Sequence, residues 1–566
     1  MIRSATIDLE TTTDHKTIWM GGIHYHDTDT YAEFTNAQEL IYALNGVDEL
    51  WHWNGIGFDV PVMGRVWGVE LSDSIKHVDG MVLSRLHDPS RATGHSLASY
   101  GAELGDSKGD FTDYDGPMTG SLGHDLESEE EWKQRMSVYC QQDVRLTTKA
   151  IKHLQARLAA EKFSQESIDL EHDVQRIICQ QRENGFKIDL PHTLKLQAKL
   201  QARMDEIFDE MQEVFPPKVT IRMSEKTGKR LKDGVEVFNP ASRKQIAERL
   251  QEVGVKFNKK TEKGNVIVDE EVLEDIDMYE AKLILEYLTL QKRTSQIASW
   301  LKVVGEDGRV HGRVNANGAV TGRMTHSHPN MAQVPATGKL YGKECRQCWI
   351  VDEGNKLVGI DASGLELRML AHYMKDDDYI KEVVEGDVHT KNQQAAGLDT
   401  RPQAKTFIYA LIYGAGSEKI GKIAGKSARE GTKLKKRFLD ATPALKKLIE
   451  LTQKIAEAHN SVPGLDGRRI RVREDYKALN TLLQGAGAVV MKKAMVLFHE
   501  KIKEEGIWTE QVAVVHDELQ CECREEDADK VGQFCVEAIR NAGKEFNLRC
   551  PLDGEYHIGD SWSETH

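Results

Sequence analysis

The chain lacks a run of apolar residues long enough to span a bilayer. It also lacks a secretory leader, since Met1 runs directly into the strand-like IRSATIDLE. Both absences lead to the expectation of a cytoplasmic protein with no membrane partner. A structural zinc framework is missing too. Of eight cysteines, only Cys345/Cys348 and Cys521/Cys523 form local pairs, and the second pair, two residues apart, reads as one face of a strand. Cysteines used this way suit a reducing compartment. An excess of positive charge is the fourth lack: 75 Lys and Arg stand against 90 Asp and Glu, a net charge of -15. That balance argues superficially against nucleic acid, whose phosphates are met by Lys and Arg. Local charge matters more. Basic runs occupy Lys218 to Lys232 and Lys426 to Arg437, while acid collects between Asp106 and Glu131.

What is present is a 566-residue chain, 40% hydrophobic and 29% charged, longer than one core usually serves, so at least two domains are expected. Its organising stretch is RPQAKTFIYALIYGAG, which sets Arg401, Lys405, Tyr409 and Tyr413 four residues apart. On an α-helix that spacing forms one stripe of two cations and two phenols. An amphipathic face would explain the stripe if it stood alone. Carboxylates at strand ends, Asp361 before it and Asp517 after it, make a second reading available: a triphosphate needs both cations and metal-holding acids.

In chain order, Ser4 to Thr11 reads as a strand with Asp8 and Glu10 on one face. Like charges there repel, and either a polar sheet surface or a divalent cation answers the repulsion. Leu50 to Met63 places Asp59 near a helix start, where an N-terminal cap is the simpler role. Glu129 to Leu158 is one helical pattern with Tyr139 and Asp143 four apart. Taken together, DxE, NxxxFD and YxxxD in this order resemble the three motifs of a DEDD-type 3′-5′ proofreading exonuclease with a tyrosine. The resemblance implies a ribonuclease-H-like α/β fold. It further implies that Asp8, Glu10, Asp59 and Asp143 hold two Mg²⁺ ions while Tyr139 orients the attacking water. His95 to Gly105 is a further helix with no assigned chemistry.

A domain boundary is expected near Glu166, followed by a helix closing at Asn184-Gly185 and another from Pro191 to Phe215 that Pro216-Pro217 stops. Lys218 to Val237 reads as a short β-ribbon or mobile loop, Asn239 as the cap of the next helix, and Val266 to Trp300 as further helices. Such helical hairpins with a basic tip suit either a packed bundle or a clamp on a duplex backbone. His311 to Pro335 has little periodicity and supplies Arg323, Asn330 and Gln333, side chains suited to backbone and minor-groove contacts. Lys356 to Asp361 is a buried-type strand running into a helix, where a capping box of Ser363 and Glu366 is a structural alternative to a functional role for Glu366. His389 precedes the organising helix. Val512 to Cys523 pairs two strands that meet at His516-Asp517-Glu518, a turn without Gly or Asn.

These segments resemble, in order, the signature regions of family A (polymerase-I-like) DNA polymerases, from about Ile168 to the end of the chain, with the wording closest to phage replicative members. The architecture implied is multidomain, α/β plus α+β. A ribonuclease-H-like exonuclease domain (1–165) precedes a right-hand polymerase (166–566) with thumb near 190–305, palm near 306–375 and 478–566, and fingers near 376–477. The resemblance implies that Asp361 and Asp517, with the carbonyl of Ala362, bind two Mg²⁺, for which Mn²⁺ can substitute. Arg401, Lys405 and His389 would meet the triphosphate, with Lys405 as proton donor to pyrophosphate. Tyr409 would stack by the sugar with Glu366 beneath it, and Tyr413 would guard the template base. Arg323, Asn480, Gln484 and His516 would test minor-groove acceptors, and Asn330 and Gln333 would add DNA contacts.

The implied substrates are primer-template DNA and deoxynucleoside triphosphates; a helicase-primase and a single-strand-binding protein are expected partners, and a monomer is the expected state. Phage relatives often carry a long thumb insertion that recruits thioredoxin. Only the segment between Phe215 and Phe238 fills that place here, so no thioredoxin partner is expected, nor is a 5′ nuclease domain ahead of Met1. Replication is the leading role. Repair or gap filling is the alternative, and a nuclease on a non-catalytic DNA-binding scaffold is disfavoured by the survival of Asp361, Asp517, Lys405 and Arg401.

Overall fold

The structure, a computed structural model, describes residues 2–109, 111, 128–223, 226–257, 264 and 266–565. Much of the acidic stretch (110 and 112–127) and residues 224 and 225 of the first basic run lie outside the described residues. The chain divides into two compact units. One comprises Met1–Asn184, Arg313–Ser327 and Val358–His557; the other comprises Gly185–Gly312, His328–Leu357 and Ile558–His566.

The first unit opens with a five-stranded sheet: β1 (Ser4–Thr11), β2 (Ile18–Tyr25), β3 (Thr30–Phe34), β4 (Glu49–His52) and β5 (Lys76–Asp79), ordered β3-β2-β1-β4-β5. The β1–β2–β3 meander is antiparallel, and β4 and β5 add parallel. Alternation along β1 decides what each face does. Ala5, Ile7 and Leu9 join a core with Phe34, Leu40, Leu50 and Val62. The opposite face meets the helix Glu129–Ala160, where the Thr148 hydroxyl donates to Thr6 Oγ1 at 2.8 Å. That helix starts with a capping box between Ser128 and Glu131 and buries Trp132, Met136, Tyr139, Cys140 and Val144 at three- and four-residue spacing.

The same unit holds most of a second sheet, with the strands Thr509–Val515, Glu518–Arg524, Asn355–Ala362 and Gly554–Gly559 side by side in that order. The segment Asp475–Glu505 is long and apolar enough to cross a membrane by composition, yet 78% of its apolar window is buried inside the protein. It is an interior helix, apolar all round because protein surrounds it. The organising stretch forms the helix Arg401–Ile412, entered through a capping box of Thr400 and Gln403. Ala404, Phe407, Ile408 and Leu411 bury one side. Arg401 and Lys405 are exposed on the other, Tyr409 is half-buried, and Tyr413 sits just past the helix as its C-cap.

The second unit is built on the helices Leu190–Val214 and Tyr279–Leu301, which pack on each other. Phe186, Trp300, Trp349 and Trp562 form its aromatic centre. Lys218–Thr220 and Gly234–Glu236 pair as a two-stranded ribbon. Three local expectations change. Ser242, not Asn239, caps the helix Arg243–Glu252, because Asn239 spends its side chain on the Ala241 N–H. The helix Leu365–Met374 begins from Gly364 in a left-handed conformation (φ 60°) with no side-chain cap, so no capping box forms at Ser363 and Glu366. His311 to Pro335 is not structureless: it holds paired strands Arg313–Asn315 and Thr325–Ser327 and a 3-10 turn at Met331–Gln333.

Candidate active sites

The first site lies where β1 passes under the helix Glu129–Ala160. Asp8 and Glu10 come from β1, Asp59 from the first residue of the helix Asp59–Trp67, and Tyr139 and Asp143 from adjacent turns of the long helix. Asp59 does not cap its helix: Phe58 is the N-cap residue, and no side chain bonds there. Glu10, Asp59, Asp143 and Tyr139 are buried and Asp8 is half-buried. Burial, then repulsion from Asp143, pushes Glu10 up to about 8, and burial lifts Asp59 to about 7 against the pull of His52. Asp8 rises for the same reasons, burial first and then Glu10, and Asp143 rises through burial although Lys108 opposes it. Glu10 Oε1 and Asp143 Oδ1 are buried without a hydrogen-bond partner. Clustered carboxylates with orphaned oxygens are costly unless a cation meets them, and hard oxygen donors suit a divalent ion of the Mg²⁺ or Mn²⁺ class.

Several residues here carry no motif and were not singled out in the sequence. Lys108 pairs with Asp143 and stands 5.0 Å from the centre of the Tyr139 ring. Cys140 brings its sulfur to the Asp8 and Glu10 carboxylates, all three ligand atoms lying within 4.8 Å of one another. Asp79 accepts the backbone N–H groups of Asn54 at 2.8 Å, Ile56 at 3.2 Å and Met81 at 2.9 Å, and so shapes the loop that leads to Asp59. Only the Tyr-Asp spacing, one turn of helix, could have hinted that Cys140 lies at the same level.

The second site lies at the ends of two neighbouring strands. Asp361 is near the end of the strand Asn355–Ala362, and Asp517 occupies the turn between Thr509–Val515 and Glu518–Arg524. The Ala362 N–H donates to the Asp517 carbonyl at 3.2 Å, which fixes the two aspartates side by side. Neighbouring His516 takes φ 59° without being glycine, so this turn holds strained backbone where it presents the carboxylate. Burial raises Asp517, while His516 and Arg323 oppose the rise. Glu366 accepts the Tyr413 hydroxyl at 2.7 and 2.8 Å and Arg323 Nη2 at 3.0 Å. Tyr409 lies in the same field, lifted by burial and then by Glu366 and Asp517. Arg323, Glu366, His516 and Asp517 line one pocket.

Beyond the pocket, Arg401 Nε donates to Asp387 at 2.8 Å, and Asp387 also caps the helix Val388–Ala396 through the N–H groups of His389 and Thr390. Burial, with the cations Arg401 and Lys405 close by, holds His389 below its usual range, so a neutral imidazole sits beside two fixed positive charges. Asn480 and Gln484 sit one turn apart on the interior helix, half-buried, and the Asn480 amide oxygen is buried without a partner. Asn330 and Gln333 are exposed on the 3-10 turn of the second unit. The structure thus brings together Asp361, Asp517, Glu366, Tyr409, Tyr413, Arg323 and His516 in one place, and Asp8, Glu10, Asp59, Asp143 and Tyr139 in another.

Comparison with known proteins bears on both sites. The model of DNA polymerase family A matches residues 209–564, and that of the RNase_H superfamily matches residues 5–179. A DNA-directed DNA polymerase of Enterobacteria phage T3 is 35% identical, covering 96% of this chain and 96% of its own, and that of Escherichia phage T7 is 34% identical with the same coverage. The T3 alignment runs over 682 positions, more than the 566 residues here, so that relative carries segments this chain lacks. Among solved structures, the POL domain of Pol1 from M. smegmatis in complex with DNA primer-template and dNTP superposes with a TM-score of 0.81 at 20% identity, covering 100% of this chain and 96% of that one.

Proposed function

The chain belongs to DNA polymerase family A, and on that premise we propose how its residues divide the work of template-directed synthesis and 3′-5′ proofreading. It is a phage-type DNA-directed DNA polymerase with an RNase-H-like exonuclease domain. We assign residues 1–165 to the exonuclease and 166–566 to the polymerase, with thumb, palm and fingers as given above. One observation carries the polymerase assignment: Asp361 and Asp517 come from sequence positions far apart, yet a hydrogen bond from the Ala362 N–H to the Asp517 carbonyl holds their strand ends together, with Asp517 lining a pocket.

Both sites require divalent cations; we take the ion to be Mg²⁺, replaceable by Mn²⁺, which when bound acidifies a water or hydroxyl and offsets charge on the reacting phosphate. Asp361, Asp517 and the Ala362 carbonyl would hold it in the polymerase, and Asp8, Glu10, Asp59 and Asp143 in the exonuclease. Arg401 and Lys405 neutralise the triphosphate, His389 adds a further phosphate contact, and Lys405 delivers a proton to the departing pyrophosphate. Tyr409 stacks on the sugar over Glu366, and Tyr413 covers the template-base position. Arg323, Asn480, Gln484 and His516 reach minor-groove acceptors, which are alike for all correct pairs and therefore test shape. Asn330 and Gln333 add backbone contacts. Tyr139 orients the water that attacks the 3′ phosphodiester.

The substrates are DNA and deoxynucleoside triphosphates. A helicase-primase and a single-strand-binding protein are the partners we assign, the protein acts as a monomer, and the host cytoplasm is its place of work. Extension of a primed template with Mg²⁺ tests the assignment on the parent, Asp517→Ala and Asp8→Ala. The first substitution should abolish extension and spare 3′ degradation, and the second should do the reverse. Extension that survives Asp517→Ala would sink the polymerase site.

A further inference from the structure

Four charged side chains of the first unit meet out of contact with water. Glu171, from the helix Gln165–Asn184, is fully buried, as are Lys492 of the interior helix and the pair Asp466 and Arg468. Lys492 Nζ donates to both Glu171 oxygens, at 2.6 and 2.9 Å, and to Asn317 Oδ1 at 3.0 Å. Arg468 reaches Glu171 at 2.6 Å and clasps Asp466 with contacts of 2.7 and 2.9 Å. Two acids and two bases leave the cluster neutral. Such a cluster is weak as a source of stability, since apolar side chains of the same volume do as well, but its fixed geometry can set a position.

The position it sets is readable from what touches it. Asn317 lies in the turn that joins the strands Arg313–Asn315 and Thr325–Ser327, and Arg323 closes that turn. Across the turn, the Ala319 N–H donates to the Arg323 carbonyl and the Gly322 N–H to the Ala319 carbonyl. Gly322 has φ 78°, and a Cβ there would stand 3.2 Å from Arg468 Nη1 and 3.3 Å from Asn317 Oδ1. The turn therefore lies directly on the cluster. Arg323 then extends to Glu366, and Lys492 lines the same pocket as Arg323 and Asp517.

We propose that Glu171, Lys492, Arg468 and Asp466 are positioning residues for polymerisation: through Asn317 and Gly322 they fix the turn that aims Arg323 at the primer-template pair, and so set how sharply a mispaired primer end is refused. The inference rests on the reading of Arg323 as a minor-groove contact. Burial draws Lys492 down to about 8, yet Glu171 counters the shift, which agrees with a group whose place is held by its partner.

The test is single-turnover extension from matched and mismatched primer ends. The variants are Lys492→Met with Glu171→Gln, which keeps the cluster neutral, Arg323→Ala, and all three changes combined. Degradation of single-stranded DNA by the exonuclease domain reports folded protein in each. The neutral pair should slow matched extension about tenfold to a hundredfold, the loss expected for misplacement by about 1 Å, and should narrow the matched-to-mismatched ratio. Adding Arg323→Ala to it should cost little more, because the two act as one. A parental ratio in the neutral pair, or an undiminished Arg323→Ala effect on top of it, overturns the inference. Should that pair not fold, Gly322→Ala leaves every charge in place and crowds Arg468 and Asn317; it should give the same narrowed ratio, and parental behaviour refutes the proposal. An Arg323→Ala enzyme with a parental ratio instead refutes the underlying reading of Arg323, and the inference with it.

Discussion

Tyr409 shows how much one atom decides. Its ring is half-buried in the field of Glu366 and Asp517, and Glu366 is itself held by two partners, Tyr413 and Arg323, so the proposed floor beneath the sugar is fixed in place. The resemblance to family A implies that tyrosine rather than phenylalanine here lets dideoxynucleotides in readily. The phenolic oxygen is the only difference between the two side chains, and a hydrogen bond to a charged group is worth about 1.5–3 kcal/mol, roughly ten- to a hundredfold in rate. The parent should therefore discriminate weakly against dideoxynucleotides, and Tyr409→Phe should discriminate by that factor. Chain-termination ladders at fixed nucleotide ratios measure it directly. Equal termination by both enzymes would show that the stripe on the Arg401–Ile412 helix has been misassigned.

At the level of single elements, the exonuclease depends on a loop that its own motif does not describe. Asp79 ends β5 and caps the helix Gly80–His87, yet two of its three backbone partners, Asn54 and Ile56, belong to the segment that leads to Asp59. Its own N–H donates to His172 on the helix Gln165–Asn184 at 2.9 Å. Removing the carboxylate orphans three buried or half-buried donors at about 1–3 kcal/mol each. Asp79→Ala should lower the melting temperature and cut single-strand degradation by on the order of tenfold or more, while primer extension by the same preparation persists. Degradation at the parental rate would remove Asp79 from the account. The case also shows what the sequence can and cannot display. The placement of Asp8, Glu10, Asp361, Asp517 and the Arg401 stripe was legible because strand alternation, strand ends and four-residue helical spacing are written in the sequence. Lys108, Asp79, Glu171 and Lys492 were not, since their roles arise from partners brought together by the fold; Lys492 and Glu171 are 321 residues apart. The cap of the helix Arg243–Glu252 falls on Ser242 and not Asn239 for a smaller reason, because side chains competing for the same backbone donors are separated by tenths of a kcal/mol.

For the whole molecule the question is how long the enzyme stays on DNA. On the proposed reading, the ribbon Lys218–Thr220 with Gly234–Glu236 takes the place of the thumb insertion expected to recruit thioredoxin, and the alignment with the phage T3 enzyme is longer than this chain. An isolated two-stranded ribbon is marginal in water, and this one leaves Val219, Ile221, Leu231, Val235 and Val237 exposed among Lys218, Arg222, Lys229 and Lys232. Basic side chains give a salt-dependent hold on phosphates, so the reading to test is a ribbon that acts on the duplex directly rather than through a host protein. Single-encounter extension with a DNA trap separates the two cases. Replacing residues 218–236 by a short Gly-Ser turn should shorten the products, an effect that shrinks as salt rises because the charge contribution is already screened. Added thioredoxin should change product length in neither enzyme. Longer products with thioredoxin in the parent would establish that the short ribbon still recruits it, and products of unchanged length after the replacement would free the ribbon from any part in processivity.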